Sequence, residues 1–235
     1  MTVATPAREG PGPRRQSMAA VGRTCREMGG NVDVPDEFAP VIELVFALEG
    51  ASLPADHAEA LARAVEQALP WFEHESTAGI LPLRTAPGTH GLVLLARRAK
   101  LVLRIPESRL ADASMLAGRT LEVAEDRLVV GAGAARPLVA SATLYAHRVV
   151  TGAGDERAFH EDVIEWQAAT GVGGEFISGR ARRFVAGGRE MLGFGLALHG
   201  LAAGDSLRVQ GVGFGSGRRL GCGIFVPHKA IATSA

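Results

Sequence analysis

The stretch QGVGFGSGRRLGCGIFVPHK, residues 210–229, combines residue types that can hold an anion. Its glycines and paired arginines are Gly211, Gly213, Gly215, Gly217, Arg218, Arg219, Gly221 and Gly223. Glycine lets a backbone approach a ligand closely with its N–H groups exposed, and arginine donates paired hydrogen bonds to phosphate oxygens. The pattern predicts contact with a phosphodiester chain, in which Phe214 offers a stacking face and Ser216 a hydrogen-bonding group.

Two known phosphate-binding patterns do not fit this stretch. A Walker-type loop requires G-x-x-x-x-G-K-[ST] between a strand and a helix, and no Lys-Ser or Lys-Thr pair follows these glycines. A dinucleotide fingerprint requires G-x-G-x-x-G at the start of a helix, and the glycines do not keep that spacing. The remaining alternative is a tight, glycine-rich connection that binds no ligand.

A second basic group, Arg180, Arg182 and Arg183, falls in a predicted β-hairpin and would extend the same surface. The whole chain is neutral, with 25 basic and 25 acidic residues, but residues 176–235 carry eight basic groups and two acidic ones. Binding of a polyanion depends on the local potential and not on the total charge. Alternatively, these arginines lie at a hairpin tip and are solvated without binding a ligand.

Seven histidines could transfer protons, because the unperturbed pKa of imidazole lies near neutrality. His57 falls in the first turn of a predicted helix, where the positive end of the helix dipole favours a neutral ring that can accept a proton. His74, in WFEHEST beyond the same helix, is the second candidate. A surface or capping role explains His57 as well, and a polar loop explains His74. The others are expected to be structural or solvated: His90, His147, His160, His199 and His228.

The elements that must position these residues follow a repeated order. APVIELVFALEG alternates as a strand, and LPADHAEALARAVEQALPWF has helical spacing. GILPLRT is β-rich, and GLVLLARRAKLVLRIP reads as a strand, a turn and a strand. ESRLADASMLAG reads as a short helix and RTLEVAEDRLVVGA as a strand. This β-α-β-β-α-β order is the ferredoxin-like arrangement.

The second half of the chain repeats that order. PLVASATLYAHRVV reads as a strand, DERAFHEDVIEWQAATG as a helix, and GEFISGRARRFVAGG and REMLGFGLALHG as two strands. LAAGDSLRVQ reads as a short helix, and CGIFVPHK follows the glycine loop as the last strand. We predict an α+β fold of two tandem ferredoxin-like (RRM-like) domains at residues 37–136 and 137–235, after a flexible N-terminal arm at residues 1–36.

The composition indicates the compartment in which the protein acts and whether it needs a cofactor. No apolar run reaches the roughly 18 residues that a membrane span requires, so a membrane partner is not expected. Cys25 and Cys222 are too few and too far apart for a disulfide framework or a cysteine-rich metal site. These features predict a cytoplasmic protein without a cofactor.

Residues 41–229 resemble the CRISPR-associated endoribonucleases that process precursor guide RNA. The resemblance rests on VIELVFALEGASLPADHAEAL, on RPLVASATLYAHRV and on the ending GRRLGCGIFVP. The chain departs from this family in its net charge, which is neutral, whereas an RNA-binding protein is usually basic. It also has Leu81 where this branch of the family would have a histidine, which removes one candidate for catalysis.

The resemblance implies a metal-independent cut within the repeats of precursor CRISPR RNA. In this reaction the 2′-OH attacks the neighbouring phosphate and leaves a 2′,3′-cyclic phosphate, with His57 as general acid or base. The partners implied are a CRISPR repeat RNA hairpin and other subunits of a CRISPR effector complex. Two alternatives stay open: a non-catalytic CRISPR RNA-binding subunit, and a ferredoxin-like module that binds a small anionic ligand.

Overall fold

The computed structural model describes residues 40–229. The arm predicted for residues 1–36 therefore lies outside the described residues. Between residues 40 and 229, no helix is both long enough and apolar enough to cross a membrane.

The first half of the described chain contains eight strands and two α-helices. They are β1 (Val41–Glu49), β2 (Ser52–Pro54), α1 (Ala58–Ala68), β3 (Gly79–Ile80), β4 (Thr85–Pro87), β5 (Leu92–Leu95), β6 (Lys100–Pro106), α2 (Leu110–Ser114), β7 (Thr120–Val123) and β8 (Asp126–Pro137). Five of the strands form an antiparallel sheet in the order β3-β6-β1-β8-β7. Without β7, this is the strand order of a ferredoxin-like fold.

Strand β1 shows why the sheet forms where the sequence predicted it. Its alternate residues Ile42, Leu44, Phe46 and Leu48 are all buried in one core, as their period of two requires. Helix α1 packs Leu61 and Val65 into the same core. The ferredoxin-like order therefore follows from hydrophobic periodicity along each element.

Two predicted elements of the first half differ in the structure. Strand β5 does not pair with β6; it pairs with β2 and β4 in a separate three-stranded sheet. RTLEVAEDRLVVGA forms the hairpin β7–β8 and not one strand, because Ala124, at φ 55°, turns the chain between them. Local periodicity identifies strands but does not identify their partners.

The second half repeats the fold with fewer additions. It contains β9 (Thr143–Val149), α3 (Glu156–Thr170), β10 (Glu175–Ala186), β11 (Arg189–His199), α4 (Ala203–Val212) and β12 (Phe225–Pro227). The strands form an antiparallel sheet in the order β10-β11-β9-β12. Both halves therefore have the same topology, and the fold is α+β with two tandem ferredoxin-like units. The domain division predicted between residues 136 and 137 falls at the end of β8, and it stays a prediction.

A buried arginine connects the two halves. Arg104 of β6 is fully buried and donates hydrogen bonds to the backbone oxygens of Gln210 (2.9 Å) and Phe225 (2.5 Å) in the second half. It also forms an ion pair with Glu43 of β1, to which Arg136 donates at 2.7 Å. Burial alone would raise the pKa of Glu43, but the charges and hydrogen bonds of Arg104 and Arg136 outweigh it and hold that pKa below its usual value.

Candidate functional site

A cleft of about 540 Å³ is lined by residues from both halves. The first half contributes Asp56 and His57, just before α1, and residues 80–83, which begin at the last residue of β3. The second half contributes His147, Arg148, Arg182, Arg183, Phe184 and residues 219–221. The volume lies within the range of ligand-binding pockets, and the lining combines histidines with several arginines.

His57 is oriented by one hydrogen bond. It is the residue before the first turn of α1 and not a member of that turn, and its Nδ1 lies 2.8 Å from the backbone oxygen of Pro54. A carbonyl oxygen can only accept, so Nδ1 carries the hydrogen in this contact. The other ring nitrogen, Nε2, is therefore the one that can exchange a proton with a ligand.

The β10–β11 hairpin is fixed against the helix that carries His57. The Asp56 carboxylate accepts from the backbone N–H of Val185 at 3.1 Å, and the Glu59 carboxylate accepts from that of Gly187 at 2.9 Å. These contacts join the two halves at the mouth of the cleft. They bring the basic hairpin next to His57, although about 130 residues separate them in the sequence.

Three of the predicted phosphate-binding arginines line the cleft with His57. Arg182 and Arg183 extend from β10, and Arg219 is ion-paired with Glu66 of α1 while its side chain stays 42% exposed. Gly221 also lines the cleft. Arg180 does not; it lines a second groove, which shares Arg183 with the first. A chain of phosphates could therefore contact arginines along β10 from one groove to the other.

Arg218, which the sequence analysis predicted to contact phosphate, is buried in the structure. It is 9% exposed, and its guanidinium donates to the backbone oxygens of Val212 (2.7 Å), Gly211 (3.0 Å) and Thr77 (3.0 Å). Burial, followed by the charge of Arg104, lowers the pKa of Arg218 to about 10, so it remains charged at neutral pH. This placement argues against contact with RNA, because all three acceptors belong to the protein.

The glycines of residues 211–223 pack against the protein itself. A Cβ on Gly213 would lie 2.2 Å from Nη1 of Arg218, and one on Gly215 would lie 2.4 Å from the oxygen of Val150. A Cβ on Gly221 would lie 3.2 Å from the oxygen of Ile80. Gly211 is still in α4, which ends at Val212, so the loop begins later than the sequence indicated. Among these glycines, Gly213 is the one that lets the backbone approach the Arg218 guanidinium.

The other loop residues lie outside the cleft. Phe214 stacks on Trp166 with ring centroids 4.6 Å apart, which occupies one of its faces. The Ser216 hydroxyl donates to the oxygen of Val150 at 3.3 Å, and Gly217 has φ 81° before the short 3-10 helix Arg218–Leu220. RNA contact by Phe214, Ser216 and these glycines stays a prediction, and the cleft does not bring them next to His57.

We expect Gly213→Ala to destabilise the protein by about 1–3 kcal/mol or more. The residue has φ 77° and ψ −167°, a conformation that only glycine adopts without strain, and the added Cβ would meet Arg218 and the oxygen of Gly223. Gly204→Ala in α4 is the matched control, since a Cβ there meets nothing within 4 Å. Urea unfolding of the two variants measures the difference. Equal stability of the two variants would contradict the packing of this loop around Arg218.

The second catalytic candidate lies outside the cleft, whereas two residues that the sequence analysis did not select line it. His74 follows the 3-10 helix Pro70–Glu73, is exposed, and does not line the cleft. His147, expected to be structural or solvated, does line it, as does Arg148, whose guanidinium lies 3.8 Å from the centroid of the Phe184 ring. Partial desolvation, and then the charges of Arg182 and Arg148, lower the pKa of His147. No local pattern in the sequence marks these two residues.

Two comparisons with known sequences point to the same family. The family model described as "Cas6 Crispr" matches residues 42–230. A curated relative, the "CRISPR-associated endonuclease Cas6" of Myxococcus xanthus (strain DK1622), is 37% identical over 188 residues, which cover 79% of this chain and 81% of the relative.

Comparison with solved structures supports the same fold. A structure described as "CRISPR associated protein Cas6" superposes with a TM-score of 0.60 at 13% identity and covers 80% of this chain and 100% of the other. A second, "Characterization of a Cas6-related gene from Pyrococcus furiosus", gives a TM-score of 0.55 at 10% identity and covers 79% and 97%. At sequence identities this low, the superpositions show that the fold is shared and nothing more.

Proposed function

The chain belongs to the Cas6 family, and from this membership and the cleft between its halves we propose that it is an endoribonuclease that cleaves precursor CRISPR RNA within its repeats. One observation carries the proposal: His57 lines the same cleft as Arg182, Arg183 and Arg219. The cleft thus combines a proton-transfer group with cations for a phosphate, and these are the two requirements of RNA cleavage without a metal.

The proposed reaction uses the RNA's own hydroxyl as nucleophile. The 2′-OH of the nucleotide before the scissile phosphate attacks the phosphorus, the bond from phosphorus to O5′ breaks, and the products are a 2′,3′-cyclic phosphate and a 5′-OH. His57 transfers a proton through Nε2, because Nδ1 is held by Pro54. The arginines of the cleft bind the phosphate and stabilise the charge that develops on its oxygens.

We propose that the RNA continues from the cleft toward the second groove. Arg183 lines both, and Arg180 lines the second, so phosphates on either side of the cut would meet cations on β10. After cleavage the RNA stays bound, and the protein joins other subunits of a CRISPR effector complex. The alternative of a non-catalytic RNA-binding subunit would use the same arginines without His57.

A cleavage assay tests the proposal. A hairpin repeat RNA, taken from the repeats near the gene and labelled at its 5′ end, is incubated with the protein in EDTA. We expect a single cut, with a downstream fragment that polynucleotide kinase labels directly and an upstream fragment that carries a cyclic phosphate. Binding without cleavage would favour the non-catalytic subunit. Absence of both binding and cleavage would overturn the RNA proposal.

A further inference from the structure

The cleft contains two histidines, one from each half of the molecule. His57 immediately precedes α1 in the first half, and His147 lies near the end of β9 in the second. In a displacement at phosphorus the attacking and leaving oxygens lie roughly in line, on opposite sides of the phosphorus. The general base acts on the attacking oxygen and the general acid on the leaving oxygen, so the two groups are best placed on different walls of a cleft. His57 belongs to the wall formed by the first half, and His147 to the wall formed by the second.

Strand geometry directs His147 into this cleft. Leu144 and Ala146 of β9 are fully buried in the core of the second half, so the side chains between and after them face the other side of the sheet. His147 is exposed on that side and lines the cleft. Arg182 extends over the same face, with Nη1 3.4 Å from the backbone oxygen of His147, which keeps a cation next to the ring.

We propose that His147 is the general base of the cleft and that His57 is the general acid. The inference rests on the proposed endoribonuclease activity. His147 takes the proton from the 2′-OH as the bond from O2′ to phosphorus forms. As the bond from phosphorus to O5′ breaks, protonated His57 gives the Nε2 proton to O5′. His147 ends protonated and His57 neutral, and exchange with water restores both.

The charges around His147 favour this role. Partial desolvation is the main cause of its lowered pKa, followed by the charges of Arg182 and Arg148, so the ring is neutral and able to accept a proton at pH 7. Tyr145, on the same strand, has its ring centroid 6.4 Å from that of His147. The cleft lining also includes Asp56, His57, Arg183 and Arg219, so cations outnumber the one carboxylate.

His57 is suited to the opposite role. The backbone oxygen of Pro54 accepts from Nδ1 in both the neutral and the charged ring, so Nδ1 keeps its hydrogen throughout the reaction. The proton on Nε2 is then the only ring proton free to leave. Each histidine thus has a different environment: cations surround His147, whereas a carbonyl oxygen contacts His57.

Single-turnover cleavage of the repeat RNA at saturating protein tests the role of His147. We expect His147→Ala to slow cleavage by about 10²–10⁴-fold while the dissociation constant of the RNA is unchanged. The wild-type rate should rise with pH through the pKa of His147, below the usual 6.5, and this rise should disappear in the variant. His90→Asn is the control, because His90 is exposed at φ 54°, where asparagine is tolerated, and lies outside the cleft.

A modified RNA substrate distinguishes the histidine that acts as general base from the one that acts as general acid. When sulfur replaces the bridging O5′, the leaving thiolate needs no proton, so loss of the acid no longer matters. We expect this RNA to restore cleavage by His57→Ala but not by His147→Ala. Restoration of His147→Ala, or a His147→Ala rate equal to wild type on the unmodified RNA, would overturn the assignment. Failure of wild type to cleave either RNA would instead overturn the proposed function.

Discussion

We expect His57→Asn to slow cleavage of the repeat RNA by about 10²–10⁴-fold in the single-turnover rate, while RNA binding is retained. Asparagine keeps the contact that orients His57, because its side-chain amide can donate to the backbone oxygen of Pro54 as Nδ1 does. It also remains a favourable residue before the first turn of α1. It lacks a group at the position of Nε2, so proton transfer is removed without loss of the local structure.

The measurement pairs a cleavage time course with a binding titration on the same RNA. Wild type and His90→Asn provide the reference rates, and a thermal unfolding curve confirms that the variant is folded. A variant that binds and cleaves as wild type does would contradict the role of His57. If His74→Ala abolished cleavage while His57→Asn did not, the reaction would have to be moved to the exposed loop after α1, away from the arginines of the cleft.

The fold was predictable because its signals are local. Ile42, Leu44, Phe46 and Leu48 repeat with the period of a strand, and Leu61 and Val65 with the period of a helix, whatever lies opposite them. The partner of β5 was not predictable, because LVLL can pair with any exposed edge of suitable polarity. Its pairing with β2 and β4 depends on where β2 lies after the chain leaves β1.

The glycine loop shows that one sequence pattern can serve two different contacts. The structure shows a close approach of the backbone at Gly213 to the guanidinium of Arg218, whereas RNA contact by the loop stays a prediction. Sequence alone cannot distinguish these cases, since an arginine that binds three carbonyl oxygens and one that binds RNA have the same neighbours in the chain.

His147 and Arg104 were missed for a related reason. Arg104 lies between the buried Leu103 and Ile105, and His147 follows the buried Ala146. Each is on the face opposite that core, which in an isolated sheet would be solvated. The other half of the molecule determines what each residue meets. Around His147 it leaves a cleft, whereas it covers Arg104 completely. An exposed face and an interface between domains have the same pattern in a strand sequence.

Arg104→Met is expected to lower the free energy of unfolding by about 3–5 kcal/mol. Methionine fills much of the same volume, but it leaves Glu43, which is 5% exposed, with Arg136 alone. It also removes the donor to the oxygens of Gln210 and Phe225, at the two ends of the glycine loop. A buried carboxylate that has lost one of its two arginines and two unsatisfied carbonyls are both costly, because water cannot replace the lost contacts.

Two further variants separate these contributions in urea unfolding at pH 7. Arg136→Ala is the control for loss of an arginine beside Glu43; its side chain is 58% exposed, so we expect an effect of about 1 kcal/mol or less. The double variant Glu43→Leu/Arg104→Met should recover part of the lost stability, because no buried carboxylate is left without its partner. If the double variant were no more stable than Arg104→Met, the contacts to Gln210 and Phe225 would account for the loss. Arg104 would then stabilise the protein chiefly by joining its two halves.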